Sequence, residues 1–373
     1  MIKLEKVTKV YPDGTKAVNE MSLEVEEGEL CVFLGPSGCG KTTTMKMIHR
    51  LIPITSGKIY IDGMDNTKIN ASELRRNIGY AIQEIGLFPH LTVGQNIETV
   101  PALKGWSKSR RRERAEELLE LVRMKPSEFI DRYPNELSGG QRQRIGVARA
   151  LGADPPILLM DEPFGAIDPI NRVELQSEFL KIQQKIKKTI IFVTHDIYEA
   201  IKMGDRIALI KDGKLVQYDT PANLLYRPKD EFVEGFVGAD RALKGLQLLR
   251  VKEVMSDTYV TASMGEKIEA VRDRIEKEGI DWLPVVDNSG RLMGGVSISG
   301  LAGGRARMVK DAITPPEATS GANAVLNEAL SLILSSGLKT LPIIGEDNKL
   351  EGILTFDAIQ EALHEAVKTG GPR

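Results

Sequence analysis

Aromatic side chains are scarce: Phe, Tyr and Trp make up 5% of the 373 residues and form no cluster along the chain. A cage for an organic cation needs several aromatic faces converging on one point, so this chain is not expected to hold one. Cysteine is scarcer still. Cys31 and Cys39 are the two in the sequence; their spacing fits no metal site, and Cys39 lies inside a glycine loop. That excludes a disulfide framework and points to a reduced, cytoplasmic protein. Net charge is −2, so no global basicity suggests nucleic acid as a partner. No stretch approaches the roughly 18 uncharged apolar residues of a bilayer span. The opening "MIKLEKVTKVYPDG" alternates charged and apolar residues and lacks the apolar core of a signal peptide. If the protein serves a membrane process, another chain supplies the membrane part.

What is present is ordinary in bulk, with 42% hydrophobic and 27% charged residues, and the length predicts two or three domains. The opening residues read as a strand. "KAVNEMSLEVEEGELCVFLG" reads as two more, the first alternating at Val18, Leu23 and Val25. The second, "LCVFL", is a continuous apolar run of the kind buried on both faces. It runs into "GPSGCGKTT" at 35–43, and "KTTTMKMIHRLI" follows as a helix. Residues 110–124 place Ala115, Leu118, Leu119 and Val122 on one helical face. The arginines there interleave with Glu113, Glu116 and Glu117 and read as a solvated face. Next come "PILLMDE", a buried strand ending in two acids; a helix with Leu175, Phe179, Ile182 and Ile186 on one side; and the buried strand "TIIFVTH". "RIALIKDGKLVQYDT" is a hairpin turning at Asp212-Gly213. The alternation predicts an α/β fold on a mainly parallel sheet, ending near 231–238.

The remainder contains a duplication. "WLPVVDNSGRLMGGVSIS" at 282–299 lies over "TLPIIGEDNKLEGILTFD" at 340–357 with a single offset of 58 residues. The same offset carries Thr261 onto Thr319, Ile275 onto Ile333 and Gly279 onto Gly337. One gap-free offset means two copies of one small unit, each reading extended segment, helix, strand, turn, strand, helix. Neither is large, so the copies are expected to bury their faces against each other.

"GPSGCGKT" satisfies the phosphate-loop pattern G-x-x-x-x-G-K-[ST]. Gly35, Gly38 and Gly40, with Pro36, Ser37 and Cys39 between them, let the backbone fold into a nest of N–H groups. Lys41 supplies positive charge to the terminal phosphates, Thr42 offers a hydroxyl to Mg²⁺, and Thr43 continues the motif into a helix whose positive end points at the same anion. Asp161, at a strand end, is placed to hold Mg²⁺ through water, and Glu162 to polarise an attacking water. A second stretch, "LSGGQRQRIGVARAL" at 137–151, also looks built to grip an anion: Ser138, Gly139 and Gly140 stand at a helix start, with Gln141 next.

The phosphate loop, "LSGGQ", "LLMDE" and "FVTHD" in that order resemble the ATP-binding cassette (ABC) ATPases over about residues 1–238. The resemblance implies a P-loop cassette with a parallel-sheet core and antiparallel and helical subdomains. It implies a homodimer in which two cassettes face head to tail, so that "LSGGQ" of one closes over the ATP in the other's phosphate loop. It further implies roles for Tyr11 as the aromatic stacking on adenine, Gln83 as the glutamine that senses Mg²⁺ and reports to the membrane subunit, Asp168 as the aspartate crossing the dimer interface, and His195 as the histidine contacting the γ-phosphate. His49, His90 and His364 have no ligand spacing and are left as structural or surface residues.

The duplicated tail resembles a pair of CBS domains, small α/β regulatory modules that often bind adenine nucleotides. The expected limits are a linker at 239–252, copies at 253–307 and 308–367, and a tail at 368–373. The ligand-binding form has Gly, two residues, Thr or Ser, two residues, then Asp. Copy one has Gly294, Ser297 and Gly300; copy two has Gly352, Thr355 and Ala358, with Asp357 one place early. A site elsewhere on the module or at its dimer interface, a signal such as cyclic di-AMP or ionic strength, and a purely structural dimerisation tail all stay open. One cassette followed by a CBS pair, together with "QEIGLFPHLTVGQNI" at 83–97, is similar to the ATPase subunits of quaternary-amine osmoprotectant importers. That likeness implies a peripheral protein on the cytoplasmic face, with permease subunits and an extracytoplasmic binding protein on separate chains. The alternatives are an importer for an amino acid or polyamine, or a cassette protein acting on DNA or the ribosome.

Overall fold

The structure is a computed structural model that describes residues 1–82, 86–165, 167–298, 306–369 and 371. The chain divides into two units, Met1–Leu224 with Lys229–Val233, and Leu225–Pro228 with Glu234–Arg373. The first unit opens with a hairpin of β1 (Ile2–Val10) and β2 (Lys16–Val25), and the apolar run becomes β3 (Leu30–Leu34), buried along its length. β4 (Ser56–Ile61), β5 (Met64–Asp65), β6 (Ile78–Ala81), β7 (Ile157–Asp161), β8 (Thr189–Thr194), β9 (Arg206–Lys211) and β10 (Lys214–Asp219) follow.

Two sheets result. The antiparallel one has the order β2-β1-β4-β5, the other β10-β9-β3-β8-β7-β6. The second is parallel from β9 to β6; β10 returns beside β9 through Asp212 and Gly213, both at positive φ as a two-residue hairpin of this hand requires. One apolar core spans both sheets, with Val18 and Ile59 from the first, Phe33 and Ile191 from the second, and Met45 from the helix Lys41–Ile48.

Helices Val93–Leu103, Lys108–Leu121 and Gly139–Leu151 lie between β6 and β7 in the chain, with Ala115, Leu118, Leu119 and Val122 buried as their spacing requires. Fully buried Asn96 fastens the preceding loop: it accepts from the Phe88 N–H at 2.8 Å and donates to the carbonyls of Phe88 and Leu91, each at 3.1 Å. Ile186, expected on a buried face, is 40% exposed, because it lies in the last turn before the helix ends at left-handed Lys187.

His49 follows the helix Lys41–Ile48, is 8% exposed and meets the Tyr80 ring edge-on at 5.1 Å. Burial pushes its pKa down from 6.5 to about 4. The unfolded chain therefore binds a proton that the folded chain refuses between those values. Stability from this group is complete above the unfolded pKa and falls as pH drops toward 4, by about 3 kcal/mol in all. Denaturant unfolding at a series of pH values checks this: His49→Gln is expected to flatten the acid limb relative to the parent.

The second unit shows the duplication. Helix Ile268–Glu278, β11 (Trp282–Val286) and β12 (Leu292–Ser297) correspond to helix Leu326–Ser336, β13 (Thr340–Ile344) and β14 (Leu350–Thr355), and helix Phe356–Thr369 ends the second copy. Gly279 and Gly337 end their helices at φ 64° and 68°, which explains their recurrence. The copies exchange lead-in segments. Arg250 bridges to Val325 and Ser256 to Ile353, while Met308 bridges to Lys267 and Thr314 to Gly295; each pair maps onto its counterpart through the offset.

This exchange explains the repeated Gly294 and Gly352. A Cβ on Gly294 would lie 2.4 Å from the Thr314 carbonyl oxygen, and one on Gly352 would lie 2.8 Å from that of Ser256. The segment 239–252, expected as a linker, is in part core: Leu246, Leu249 and Val251 are buried with Leu326, Ile333 and Leu341. Between the copies Trp282, Leu292 and Leu350 pack together, and the Tyr259 hydroxyl donates to the Leu350 carbonyl at 2.9 Å. Gly300 lies outside the described residues. Among those described, no helix is long and apolar enough to cross a membrane.

Candidate functional site

The strand order sets β3, β8 and β7 side by side and parallel, so their carboxyl ends open on one edge of the sheet. From β3 the chain enters the glycine loop. A Cβ on Gly35 would stand 2.1 Å from the Ile210 carbonyl oxygen, and one on Gly40 2.3 Å from that of Ala17; the loop is pressed between β9 and the hairpin where no side chain fits. Lys41 is 6% exposed, and its Nζ turns back to donate to the carbonyls of Gly35 at 2.7 Å and Pro36 at 2.8 Å. Pro36, Ser37 and Gly38 are exposed or at the rim, Thr43 is half-buried, and burial pushes the Cys39 thiol up, away from thiolate. The helix Lys41–Ile48 has no side-chain cap at Gly40, so its first amides have no side-chain acceptor there. A nest at positive φ, a buried ammonium and an uncapped helix start together fit a polyphosphate.

β7 ends on Asp161, which is 2% exposed and accepts from the Thr42 hydroxyl at 3.0 Å. Burial pushes the Asp161 carboxyl above the ordinary aspartate range. A desolvated carboxylate beside one hydroxyl is an oxygen donor set suited to Mg²⁺, which keeps waters and takes further ligands from phosphate. Glu162 follows at φ 47°, in the left-handed region. Its N–H donates to the Val193 carbonyl at 3.0 Å, and its carbonyl accepts from the Gly165 N–H at 3.1 Å. Its Oε1 lies 3.0 Å from Nδ1 of His195, the first residue after β8. Lys41, Thr42, Asp161, Glu162 and His195 are thus gathered at the ends of three adjacent strands.

The remaining candidates bond elsewhere. Tyr11 opens the turn of the first hairpin, half-buried, with the Lys9 ammonium 5.3 Å from its ring centroid. Ser138 is exposed and caps the helix Gly139–Leu151 in a reciprocal pair with Gln141: Gln141 N–H to Ser138 Oγ at 3.3 Å, Ser138 N–H to Gln141 Oε1 at 2.9 Å. Gly139 has open space where a Cβ would stand. Asp168 is exposed and caps the helix Pro169–Ile186, accepting from the Asn171 N–H at 3.1 Å and its amide nitrogen at 2.8 Å, which holds its carboxyl below the usual range. Gln83 lies outside the described residues. The sequence reading missed Gln143, whose side chain donates to the Glu162 carbonyl at 2.8 Å, and Arg149, which donates to the Gly86 carbonyl at 2.6 Å. The available signal for Gln143 was a polar residue one turn before Gly146 and Val147 on the helix's buried face.

Comparison with known proteins follows the same lines. The ABC transporter family profile matches residues 18–165, and the CBS domain profile matches 251–303 and 309–365. The glycine betaine/carnitine/choline transport ATP-binding protein OpuCA of Bacillus subtilis (strain 168) is 48% identical over 370 residues, covering 98% of this chain and 97% of that one. The osmoprotectant import ATP-binding protein OsmV of Salmonella typhimurium is 46% identical over 368 residues, covering 97% and 96%. Among solved structures, the dimeric post-hydrolysis state of the ATP-binding cassette MJ0796 bound to ADP and Pi is 37% identical with a TM-score of 0.56, covering 59% of this chain and 99% of that one.

Proposed function

The chain belongs to the ATP-binding subunits of ABC transporters, and from that premise we propose that it powers an importer of quaternary-amine osmoprotectants such as glycine betaine, carnitine and choline. Near full-length likeness to OpuCA and OsmV supports the solute class. The convergence of Lys41, Thr42, Asp161, Glu162 and His195 at neighbouring strand ends carries the ATPase reading.

Hydrolysis joins a water oxygen to the γ-phosphorus and breaks the bridging P–O bond. Glu162 takes the proton that water loses. His195 holds that carboxylate and reaches toward the γ-phosphate. Lys41 exchanges its loop carbonyls for the terminal phosphates, whose oxygens the loop amides and the helix start receive. Tyr11 stacks on the adenine. Thr42, Asp161 and Gln83 would hold Mg²⁺, which when bound neutralises phosphate charge. Ser138, Gly139, Gly140, Gln141 and Asp168 belong to the nucleotide of a second copy, so the working form is a homodimer with two shared sites.

The dimer sits peripherally on the cytoplasmic side of a permease and meets the extracytoplasmic binding protein only through it. A groove of about 330 Å³ lined by His49, Tyr80, Phe88 and Thr99 also touches Ile82 and Gly86, which bracket residues 83–85 in sequence; it suits the permease contact. The tandem module regulates transport through a signal such as cyclic di-AMP or ionic strength. A conventional ribose-binding acid is missing from copy two, where Ala358 stands.

Uptake of labelled osmolytes by cells lacking and then regaining the gene tests this reading. Restored glycine betaine, carnitine or choline uptake is the expected result, and restored uptake of only an amino acid or polyamine would overturn the solute assignment. Calorimetry with the isolated protein is expected to show no heat of glycine betaine binding, because aromatic residues, which a cage for a quaternary ammonium needs, make up 5% of its sequence.

A further inference from the structure

Glu162 holds a left-handed backbone, φ 47°, which a non-glycine residue keeps only where its surroundings fix it. Its N–H is tied to Val193 and its carbonyl to the Gly165 N–H, at 3.0 and 3.1 Å. Those bonds satisfy the carbonyl and leave a second acceptor direction open. Gln143 fills it: its amide nitrogen donates to the same carbonyl oxygen at 2.8 Å, and the residue is 5% exposed. Burial alone does not require this second donor, since the oxygen already has one. What it adds is direction, and its origin is distinctive. Gln143 stands on the helix Gly139–Leu151, which begins at the exposed cap Ser138.

We propose that Gln143 is a positioning residue, which sets the backbone of Glu162 and thereby the aim of its carboxylate. It also ties that aim to the helix whose start closes over a second copy's nucleotide. One short rigid element then carries both ends of the link. When Ser138 engages the partner's nucleotide, the helix and Gln143 settle together, and Glu162 in the same chain's own site is aligned. Each of the two sites is readied by occupation of the other. This rests on Glu162 as the base and on Ser138 as a contact made across the dimer.

The test uses the full chain, ATP and steady-state phosphate release, with nucleotide affinity measured separately at equilibrium. Gln143→Met keeps the length and removes the donor. It is expected to lower kcat by about 10- to 100-fold, the order that a misplaced reacting group costs, with KM and ATP affinity within about twofold. Cooperativity in ATP concentration is expected to fall toward a Hill coefficient near one. In a Glu162→Gln background, Gln143→Met should add no further loss, because both changes act on one event; a merely structural role would add its loss. Gln143→Leu serves as a second donor-free variant, and melting curves accompany both. Turnover within about twofold of the parent, additive losses, or unfolding of both variants would overturn the proposal. Failure of the underlying reading is separable, because it appears as near-normal turnover by Glu162→Gln alone.

Discussion

Glu162→Gln is expected to leave ATP binding intact and slow hydrolysis by about 10²- to 10⁴-fold. The amide matches the carboxylate in size, so the bonds through the backbone of residue 162, to Val193, Gly165 and Gln143, are untouched. Its side-chain oxygen can still face Nδ1 of His195, which lies 3.0 Å from Oε1 in the parent. What the amide cannot do is accept a proton from the attacking water. The loss therefore falls on the chemical step alone. Pre-steady-state phosphate release together with equilibrium nucleotide binding checks this, and near-normal turnover would remove Glu162 from the role of base. If the two sites are shared as proposed, uncleaved ATP keeps them closed, and the variant is expected to elute as a dimer in ATP and Mg²⁺ where the parent does not.

Much of this site is legible in the sequence itself. A phosphate loop demands glycines at fixed positions and a buried strand before it, and both requirements are written locally in "LCVFLGPSGCGKTT". Strands buried on both faces read as unbroken apolar runs, so β7 and β8 and the polar residues at their ends could be placed. The duplication was equally plain, because an offset needs no structure to be seen.

What sequence did not disclose were partnerships across long separations. Nothing local marks Glu162 for a left-handed backbone, since the cause lies in bonds to Val193, Gly165 and Gln143. Gly294 and Gly352 stood out as parts of a nucleotide-binding pattern, yet the exchanged lead-in segments account for them sterically. Leu246, Leu249 and Val251 sat in a stretch too short and mixed to show periodicity, and their burial depends on a copy that begins far downstream. Asp168 and Ser138 are exposed helix caps within their own chain, and that exposure is compatible with the proposed contact with a second copy.

Lys41→Ala is expected to fail earlier than Glu162→Gln, at binding itself. The Lys41 ammonium is 6% exposed and held by the carbonyls of Gly35 and Pro36, with the Cys39 sulfur 3.7 Å away. These neutral partners do not match a full charge, so phosphate oxygens at the same place are a gain for the ammonium. A hydrogen bond to a charged group contributes about 1.5–3 kcal/mol, and Lys41 would make such bonds to two phosphates; ATP affinity is therefore expected to drop by about 10²-fold or more. Lys41→Arg is not expected to rescue it, because the pocket left by Gly35 and Pro36 admits a slender ammonium and not a planar fork. Equilibrium titration with ATP, with melting curves to confirm that the loop still folds, checks both variants. Unchanged affinity in Lys41→Ala would contradict the phosphate-loop assignment. The contrast with Glu162→Gln is the sharper evidence: if one loses binding and the other only turnover, the strand ends of β3 and β7 divide the work between grip and chemistry.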